Sequence, residues 1–133
     1  MDKDNERIKE NKRLISKFPF LALKNGGNEK SDEEIDYEFT ELDALPKGWK
    51  IAFGEKICEE LTEALGALVK EYKISQIKEK WGGLRWYDFG NTEKGFKVID
   101  KYEKISRETC IVCGEKGENI SGLPLCEEHQ RKI

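Results

Sequence analysis

Apolar residues recur every three or four positions after Pro46, and this spacing predicts an amphipathic helix. Pro46 suits its first turn, and Gly54 is a weak point where the helix kinks or a separate turn precedes it. Such a stripe is typical of a core face, so we expect this helix to organise the core. The stripe comprises Trp49, Phe53, Ile57, Leu61, Leu65, Leu68 and Tyr72.

A β-hairpin is predicted after this helix. Residues 74–81 and 84–89 alternate as strands do, and Gly82-Gly83 between them suits a two-residue turn. If Trp81 pairs with Leu84, then Lys80 faces Arg85 across the hairpin. The predicted pairs also include Glu79 with Trp86 and Lys78 with Tyr87. The inner face then carries Ile77, Trp81, Leu84 and Trp86, and the outer face carries Lys78, Lys80, Arg85, Tyr87 and Phe89.

The outer face of this hairpin is the candidate binding surface, with Lys78, Lys80, Arg85 and Tyr87 as its binding residues. Like charges directly across a strand pair are destabilising, so we expect an anion near Lys80 and Arg85. A carboxylate of the same chain is the simpler source of that anion. The functional alternatives are an acidic protein surface, a phosphate-bearing ligand, or a nucleic-acid strand stacked on Tyr87.

Two further helices complete the predicted core. Residues 4–17 predict a short helix that Phe18-Pro19 ends, because a residue before proline avoids the helical region. A loop is predicted at 25–28. Thr92 begins another helix that ends near Glu108. Its apolar stripe comprises Phe96, Ile99, Tyr102 and Ile105. The expected fold is therefore α+β, with two amphipathic helices around a β-hairpin.

Residues 29–43 are locally acidic, with eight carboxylates against the single cation Lys30. The simplest interpretation is a solvated loop or arm, since charge runs usually keep a segment in water. A contact surface for a basic partner is the sharper alternative. Tyr37, Phe39 and Leu42 alternate with the acids and are candidates to anchor the segment on the core or on that partner.

Four metal-binding side chains close the sequence: Cys110, Cys113, Cys126 and His129. Their pattern, C-x2-C and then C-x2-H after twelve residues, is typical of a tetrahedral zinc site. It resembles a treble-clef or zinc-ribbon finger. Four protein ligands leave no open position, so we expect one structural Zn²⁺ per chain. A disulfide or redox pair is the competing interpretation, but it leaves Cys126 and His129 without a role.

Composition limits the organisation of the chain. Its 133 residues, 37% hydrophobic and 38% charged, suffice for one modest core with a metal-stabilised appendage. We expect segments 1–44, 45–108 and 109–133 to form one unit. The start lacks an apolar signal segment and no run is long enough to span a membrane, so a cytoplasmic protein with reduced thiols is expected. The net charge of −3 is unusual for a general nucleic-acid binder.

Catalytic signatures are sparse in this sequence. The single histidine is a predicted metal ligand, which argues against Ser/His, Cys/His and HNH-nuclease chemistry. A zinc deaminase needs its His or Cys ahead of the Cys pair, and no glycine-rich phosphate loop follows a strand. A carboxylate-based hydrolase stays open, although no pair of acids stands out. We therefore expect no enzymatic activity.

Three segments resemble a family of small proteins encoded by bacteriophages and prophages. They are the stretch 43–49, the string Lys78-Glu-Lys-Trp-Gly-Gly-Leu-Arg-Trp-Tyr87, and Cys110-x-x-Cys-Gly114, and the likeness covers about residues 18–130. The resemblance implies an accessory role in the bacterial cytoplasm, such as an anti-CRISPR or other anti-defence inhibitor of a host or defence-system protein. A nucleic-acid- or nucleotide-binding role for the hairpin is the alternative, and the acidic overall charge favours protein binding.

Overall fold

A computed structural model of the chain describes residues 2–24 and 35–130 and has an α+β fold, as predicted. Each sheet in the described residues is an antiparallel pair of neighbouring strands: β1 with β2, β3 with β4, and β5 with β6. The helices are α1 (Asp2–Lys17), α2 (Lys47–Trp49), α3 (Glu55–Leu65), α4 (Glu93–Ser106) and α5 (Glu127–Gln130). The strands are β1 (Ala22–Lys24), β2 (Ile35–Thr40), β3 (Lys73–Lys80), β4 (Gly83–Phe89), β5 (Glu118–Ile120) and β6 (Leu123–Leu125).

The main core lies between α1, α3, α4 and the inner face of the β3–β4 hairpin. Its central side chains, among them Trp49, Ile57 and Leu61, are fully buried. The remaining buried members come from every part of this unit: Leu14, Ile15, Phe18, Leu21, Leu42, Leu45, Phe53, Cys58, Leu65, Tyr72, Ile77, Leu84, Trp86 and Tyr102. Burial of this apolar surface is the main force that holds α1 and the hairpin together.

The helix predicted from Pro46 onwards is interrupted. A π turn at Lys50–Gly54 joins α2 to α3, close to the weak point predicted at Gly54. The helix then ends at Leu65, because Gly66 adopts a left-handed backbone with φ of 56°. The stripe is buried up to Leu65. Leu68 was wrongly predicted as core, since it lies beyond this break in a 3₁₀ turn and is exposed.

The β3–β4 hairpin forms, but with a different register from the predicted one. Lys80 pairs with Gly83, so the turn is Trp81-Gly82. Both turn residues have positive φ, 55° and 81°, which is the conformation of a type I′ turn. Lys78 therefore faces Arg85, and the predicted pairing of Lys80 with Arg85 is wrong. The other predicted pairs are replaced by Glu79 with Leu84, Gln76 with Tyr87 and Ile77 with Trp86.

The new register keeps each strand residue on its predicted face. Ile77, Leu84 and Trp86 are buried, as expected for the inner face. Trp81 is the exception, because it lies in the turn rather than in a strand and is 75% exposed. The predicted position of Trp81 on the inner face is therefore wrong.

The described part of the acidic segment is not a solvated arm. Residues 35–40 form β2, whose Tyr37 carbonyl accepts a hydrogen bond of 2.9 Å from Asn11 Nδ2 on α1. Leu42 is buried in the core, and Phe39 lies beneath the Arg7 guanidinium. The segment is thus anchored on its own chain. Residues 29–34 and the loop predicted at 25–28 lie outside the described residues.

Helix α4 begins where predicted, with the Thr92 hydroxyl accepting a bond of 3.0 Å from Gly95 N. Its buried face matches the predicted stripe only in part: Tyr102 is buried and Ile99 packs against the core, as predicted, but Phe96 and Ile105 are exposed and Ser106 is buried instead. The edge of β4 sets this orientation, because the Ser106 hydroxyl accepts a bond of 2.9 Å from Leu84 N. Within residues 2–24 and 35–130, no helix combines the length and apolar character that crossing a membrane requires.

Candidate metal centre and hairpin surface

The first ligand pair lies on a tight knuckle directly after α4. Gly114 N donates to the Cys110 carbonyl at 3.0 Å, and Cys110 N donates to the Glu115 carbonyl at 2.8 Å. These two bonds fold the chain back after Cys113. The two thiols therefore come from one rigid turn.

The second ligand pair reaches the knuckle by way of the β5–β6 hairpin. Ile111 N donates to the Pro124 carbonyl at 3.1 Å, which holds this hairpin against the knuckle. Cys126 follows β6, and the single turn of α5 brings His129 to the same side, with Gln130 N bonded to the Cys126 carbonyl at 2.9 Å. Knuckle, hairpin and terminal helix form a finger, as the cysteine spacing predicted.

The four predicted ligand atoms lie within 4.8 Å of one another. Cys113 Sγ is 3.7 Å from Cys126 Sγ, and His129 Nδ1 is 3.5 Å from Cys110 Sγ and 3.0 Å from Cys126 Sγ. A tetrahedral ion with metal–sulfur bonds of about 2.3 Å and a metal–nitrogen bond of about 2.0 Å would separate sulfurs by about 3.8 Å and sulfur from nitrogen by about 3.5 Å. The Cys113–Cys126 and Cys110–His129 separations match these values and the His129–Cys126 separation is shorter, so the donor set is compatible with a bound metal ion.

The thiols are free rather than paired in disulfides. The sulfur separation between Cys113 and Cys126 is far beyond the roughly 2.05 Å of a disulfide bond. All four side chains also converge on one point, which the redox-pair interpretation does not explain. The geometry favours the metal interpretation.

Backbone amides around the knuckle favour a thiolate at Cys110. Burial raises the pKa of this thiol, but the N–H groups of Cys126, Cys113 and Val112 outweigh that effect and lower it to about 6. At Cys113 the N–H of Glu115 lowers the pKa, whereas burial and the neighbouring thiols raise it, and the net direction is upward. Several thiolates this close repel one another, so a bound cation would stabilise them.

The finger is attached to the core at the start of α2. Gly48 N donates to the Ile111 carbonyl at 2.8 Å, and Trp49 Nε1 donates to the Thr109 carbonyl at 2.8 Å. A Cβ atom at Gly48 would overlap the Cys110 carbonyl and lie 2.7 Å from Gly114 N. Only glycine allows this approach, so the knuckle and the core are in direct backbone contact.

Arg85 on the outer hairpin face is neutralised within the chain. Its Nη1 lies 3.2 Å from Glu103 Oε1 on α4, and the same oxygen is 3.1 Å from Arg107 Nη2. This is the same-chain carboxylate that the simpler interpretation required. The repulsion between Lys78 and Arg85 therefore needs no external anion.

The rest of this outer face is open. Tyr87 is 47% exposed and Phe89 66% exposed, and Lys78 Nζ lies 5.8 Å from the centroid of the Tyr87 ring. In the described part of the chain, neither Lys78 nor Lys80 forms an ion pair. Helix α4 runs antiparallel to β4, because Glu103 contacts Arg85 near the start of that strand. Phe96 on α4 is also exposed.

The exposed Trp81 is the surface residue that the sequence analysis missed. A Gly-Gly pair is among the commonest two-residue turns, which pointed to Gly82-Gly83 and placed tryptophan in a strand. Only the register distinguishes the two turns, and in the structure Gly82 of the observed turn lies against Asn119 and Gly122 of the finger. The alternation of Ile77, Leu84 and Trp86 fits both registers equally.

Comparison with known proteins adds no relative to this description, since no family model, no curated protein and no solved structure matches the chain. The resemblance to bacteriophage proteins stays a prediction. The functional argument therefore depends on the metal centre and the hairpin surface.

Proposed function

We propose that this protein is a non-catalytic binding module in which a zinc ion braces the hairpin that contacts a partner protein. Three thiols and one imidazole are a donor set that zinc commonly takes in structural sites. The ligand atoms of Cys110, Cys113, Cys126 and His129 lie within 4.8 Å of one another, which supports a metal ion at this position.

The closed ligand set is the reason for proposing a structural rather than a catalytic metal. A catalytic zinc keeps a position for water or substrate, and four protein ligands fill that position. His129 is also the single histidine of the chain, and it belongs to the proposed ligand set. No other imidazole is present to act as a general base near neutral pH.

The observation that carries the binding proposal is the open outer face of the hairpin. Tyr87 and Phe89 present aromatic rings on one strand face, with Lys78 beside Tyr87 and Lys80 farther along the hairpin, near its turn. Aromatic side chains in a polar surround are enriched at protein interfaces. Arg85 is already neutralised by Glu103, and the whole chain is acidic, so a protein surface is a better partner than a polyanion.

The sequence resemblance suggests which class of protein the hairpin would bind. A bacteriophage or prophage accessory protein would act in the bacterial cytoplasm on a host or defence-system protein. Free cysteine thiols suit that reducing compartment. An anti-defence inhibitor, including an anti-CRISPR, is the role that we propose on this basis.

Nucleic-acid binding is the second candidate, and the spacing of the aromatic residues favours it. Tyr87 and Phe89 are two residues apart on one strand face, which separates them by roughly 7 Å and suits stacking on successive unpaired bases. Lys78 and Lys80 would then contact the phosphates. This arrangement predicts binding that weakens log-linearly with salt.

Affinity capture from bacterial lysate tests the two candidates together. We expect the tagged wild-type chain to enrich a protein that resists nuclease treatment and moderate salt. A Tyr87→Ala/Phe89→Ala variant should lose that protein, whereas Leu68→Ala, which removes an exposed apolar side chain outside the hairpin, should retain it. Enrichment abolished by nuclease would favour nucleic acid, and equal enrichment by all three chains would refute the hairpin as the binding surface.

A further inference from the structure

Trp81 occupies a backbone conformation that tryptophan rarely adopts. Its φ is 55°, in the left-handed region, and its side chain is 75% exposed. Type I′ turns favour Asn, Asp or Gly at this position, because a bulky side chain there is strained. A turn that only reversed the chain would gain stability from such a replacement. The strain therefore points to a role for the exposed indole.

Two contacts hold the turn in this conformation. Gly82 N donates to Glu79 Oε2 at 2.7 Å, which closes the turn on its own strand. Gly82 also lies against the finger, where a Cβ atom would come within 2.5 Å of Asn119 Nδ2 and 2.8 Å of the Gly122 carbonyl oxygen. The turn of the β5–β6 hairpin therefore packs directly against the turn of the β3–β4 hairpin.

Through this contact the metal finger fixes the position of the Trp81 turn. The finger turn is itself fixed, since Gly122 N donates to Asn119 Oδ1 at 3.1 Å. The two turns belong to hairpins from different parts of the chain, and the finger is the part that needs the metal to fold. Metal binding would therefore hold the indole in one position before any partner arrives, which reduces the entropy lost on binding.

Cations outnumber carboxylates around this turn. Lys80 is exposed directly before Trp81, and the Arg107 guanidinium lies next to Gly83, with its carbon 3.1 Å from where a Cβ would be. Arg107 and Arg85 share the single carboxylate of Glu103, and the Glu79 carboxylate accepts the Gly82 N–H. A hydrophobic ring with cations around it is complementary to an apolar pocket with carboxylates at its rim. A single ring on a convex tip fits a pocket better than a row of stacked bases, which needs several rings in series.

We propose that Trp81 is the anchor residue of the interface and inserts into an apolar, acid-rimmed pocket of the partner protein. This inference rests on the proposed function, because it specifies how the same hairpin contacts a protein. It adds a residue outside the Tyr87 and Phe89 surface. Tryptophan is among the residues most often found at the energetic centre of interfaces.

The test is a calorimetric titration of the captured protein, once purified, against metal-loaded chains. Trp81→Asn removes the indole and suits the left-handed turn, so this variant should fold with an unchanged or higher denaturation midpoint. We expect it to weaken binding by about 30-fold or more, the loss typical of an interface hot spot. Leu68→Asn is the control, because it removes another exposed apolar side chain, and it should bind like the wild type.

The possible results separate the anchor from the binding proposal. Trp81→Asn binding within about twofold of wild type, with binding lost in Tyr87→Ala/Phe89→Ala, would refute the anchor and leave the proposed function standing. No saturable complex with the wild-type chain would refute both. A captured species that proves to be nucleic acid would also overturn the proposal that Trp81 inserts into a pocket of a protein. Capture from a lysate does not by itself support the anchor.

Discussion

At the scale of single residues, Gly48 links the fold to the metal site. Its backbone N–H bonds to the Ile111 carbonyl, and no side chain fits between α2 and the knuckle. Close packing of this kind cannot be read from the sequence, where Gly48 is one of twelve glycines. The metal ligands were predictable, because pairs separated by two residues reach one ion through local geometry alone.

Gly48→Ala should destabilise the protein by about 2 kcal/mol, because the added Cβ overlaps backbone atoms of the knuckle that cannot move freely. Urea denaturation of the metal-loaded protein measures this loss. Gly54→Ala is the matched control in the same helical segment. A Cβ there meets its nearest neighbours, Leu42 and Lys50 side-chain carbons, at an ordinary 3.5 Å, so we expect stability to be unchanged or to rise by about 0.5 kcal/mol.

Glu41 predicts a pH dependence of stability. Burial raises the pKa of its carboxyl group from the usual 4.5 to about 7, so the folded state holds a proton that the unfolded state releases. Its contribution is therefore fully present below pH 4.5 and is lost as the pH rises through 7. Urea denaturation of the wild type and of Glu41→Gln from pH 4.5 to 8 tests this. As the pH rises, the unfolding free energy of the wild type should fall relative to that of Glu41→Gln. A constant difference would contradict this assignment.

At the scale of elements, the hairpin separates what sequence can predict from what it cannot. The faces of β3 and β4 followed from the alternation of side chains. Moving the turn by one residue shifts the pairing of the strands by two residues, which leaves every side chain on the same face. The register did not follow, because the choice between turns depends on contacts with the finger. The same reasoning explains α4, whose buried face is set by the edge of β4 rather than by its own apolar stripe.

The ion pair of Arg85 with Glu103 connects β4 to α4 and can be tested by exchanging the charges. Arg85→Glu should cost about 1 kcal/mol, because it replaces a half-buried attraction with two neighbouring carboxylates. Adding Glu103→Arg should restore most of that loss. Lys80→Glu, at a position without an ion pair in the described residues, should leave stability nearly unchanged. Thermal denaturation of the four proteins measures these differences, and a double variant no more stable than Arg85→Glu would argue against the pair.

Loss of the metal should unfold the finger before the core. Cys113→Ser removes one of the four ligands, and a structural zinc supplies on the order of 10 kcal/mol of folding free energy to such a unit. We expect fast hydrogen exchange throughout 109–130 and at the Trp81 turn, with slow exchange kept in α3. Cys58→Ala, a substitution of the buried core cysteine, should keep one metal ion per chain. A Cys113→Ser chain with full stability and one bound metal would refute the site.

At the scale of the whole molecule, the α+β class and the finger were predictable, whereas their arrangement was not. The core draws on α1, on residues after β2, and on the hairpin, so it is assembled from contacts distant in sequence. The finger contacts this unit at Gly48 and Gly82, two positions without any sequence signal for that role. The proposed function follows from the arrangement, because the finger supports the end of the hairpin that we assign to binding.

We propose, as the central claim, that a metal ion with four protein ligands braces a binding hairpin and has a structural rather than a catalytic role. X-ray absorption spectroscopy at the zinc edge of the purified protein tests this claim most directly. It should report three sulfur ligands at about 2.3 Å and one nitrogen ligand at about 2.0 Å. A water or hydroxide oxygen in the first coordination shell, or fewer than three sulfurs, would contradict the closed site and the non-catalytic role built on it.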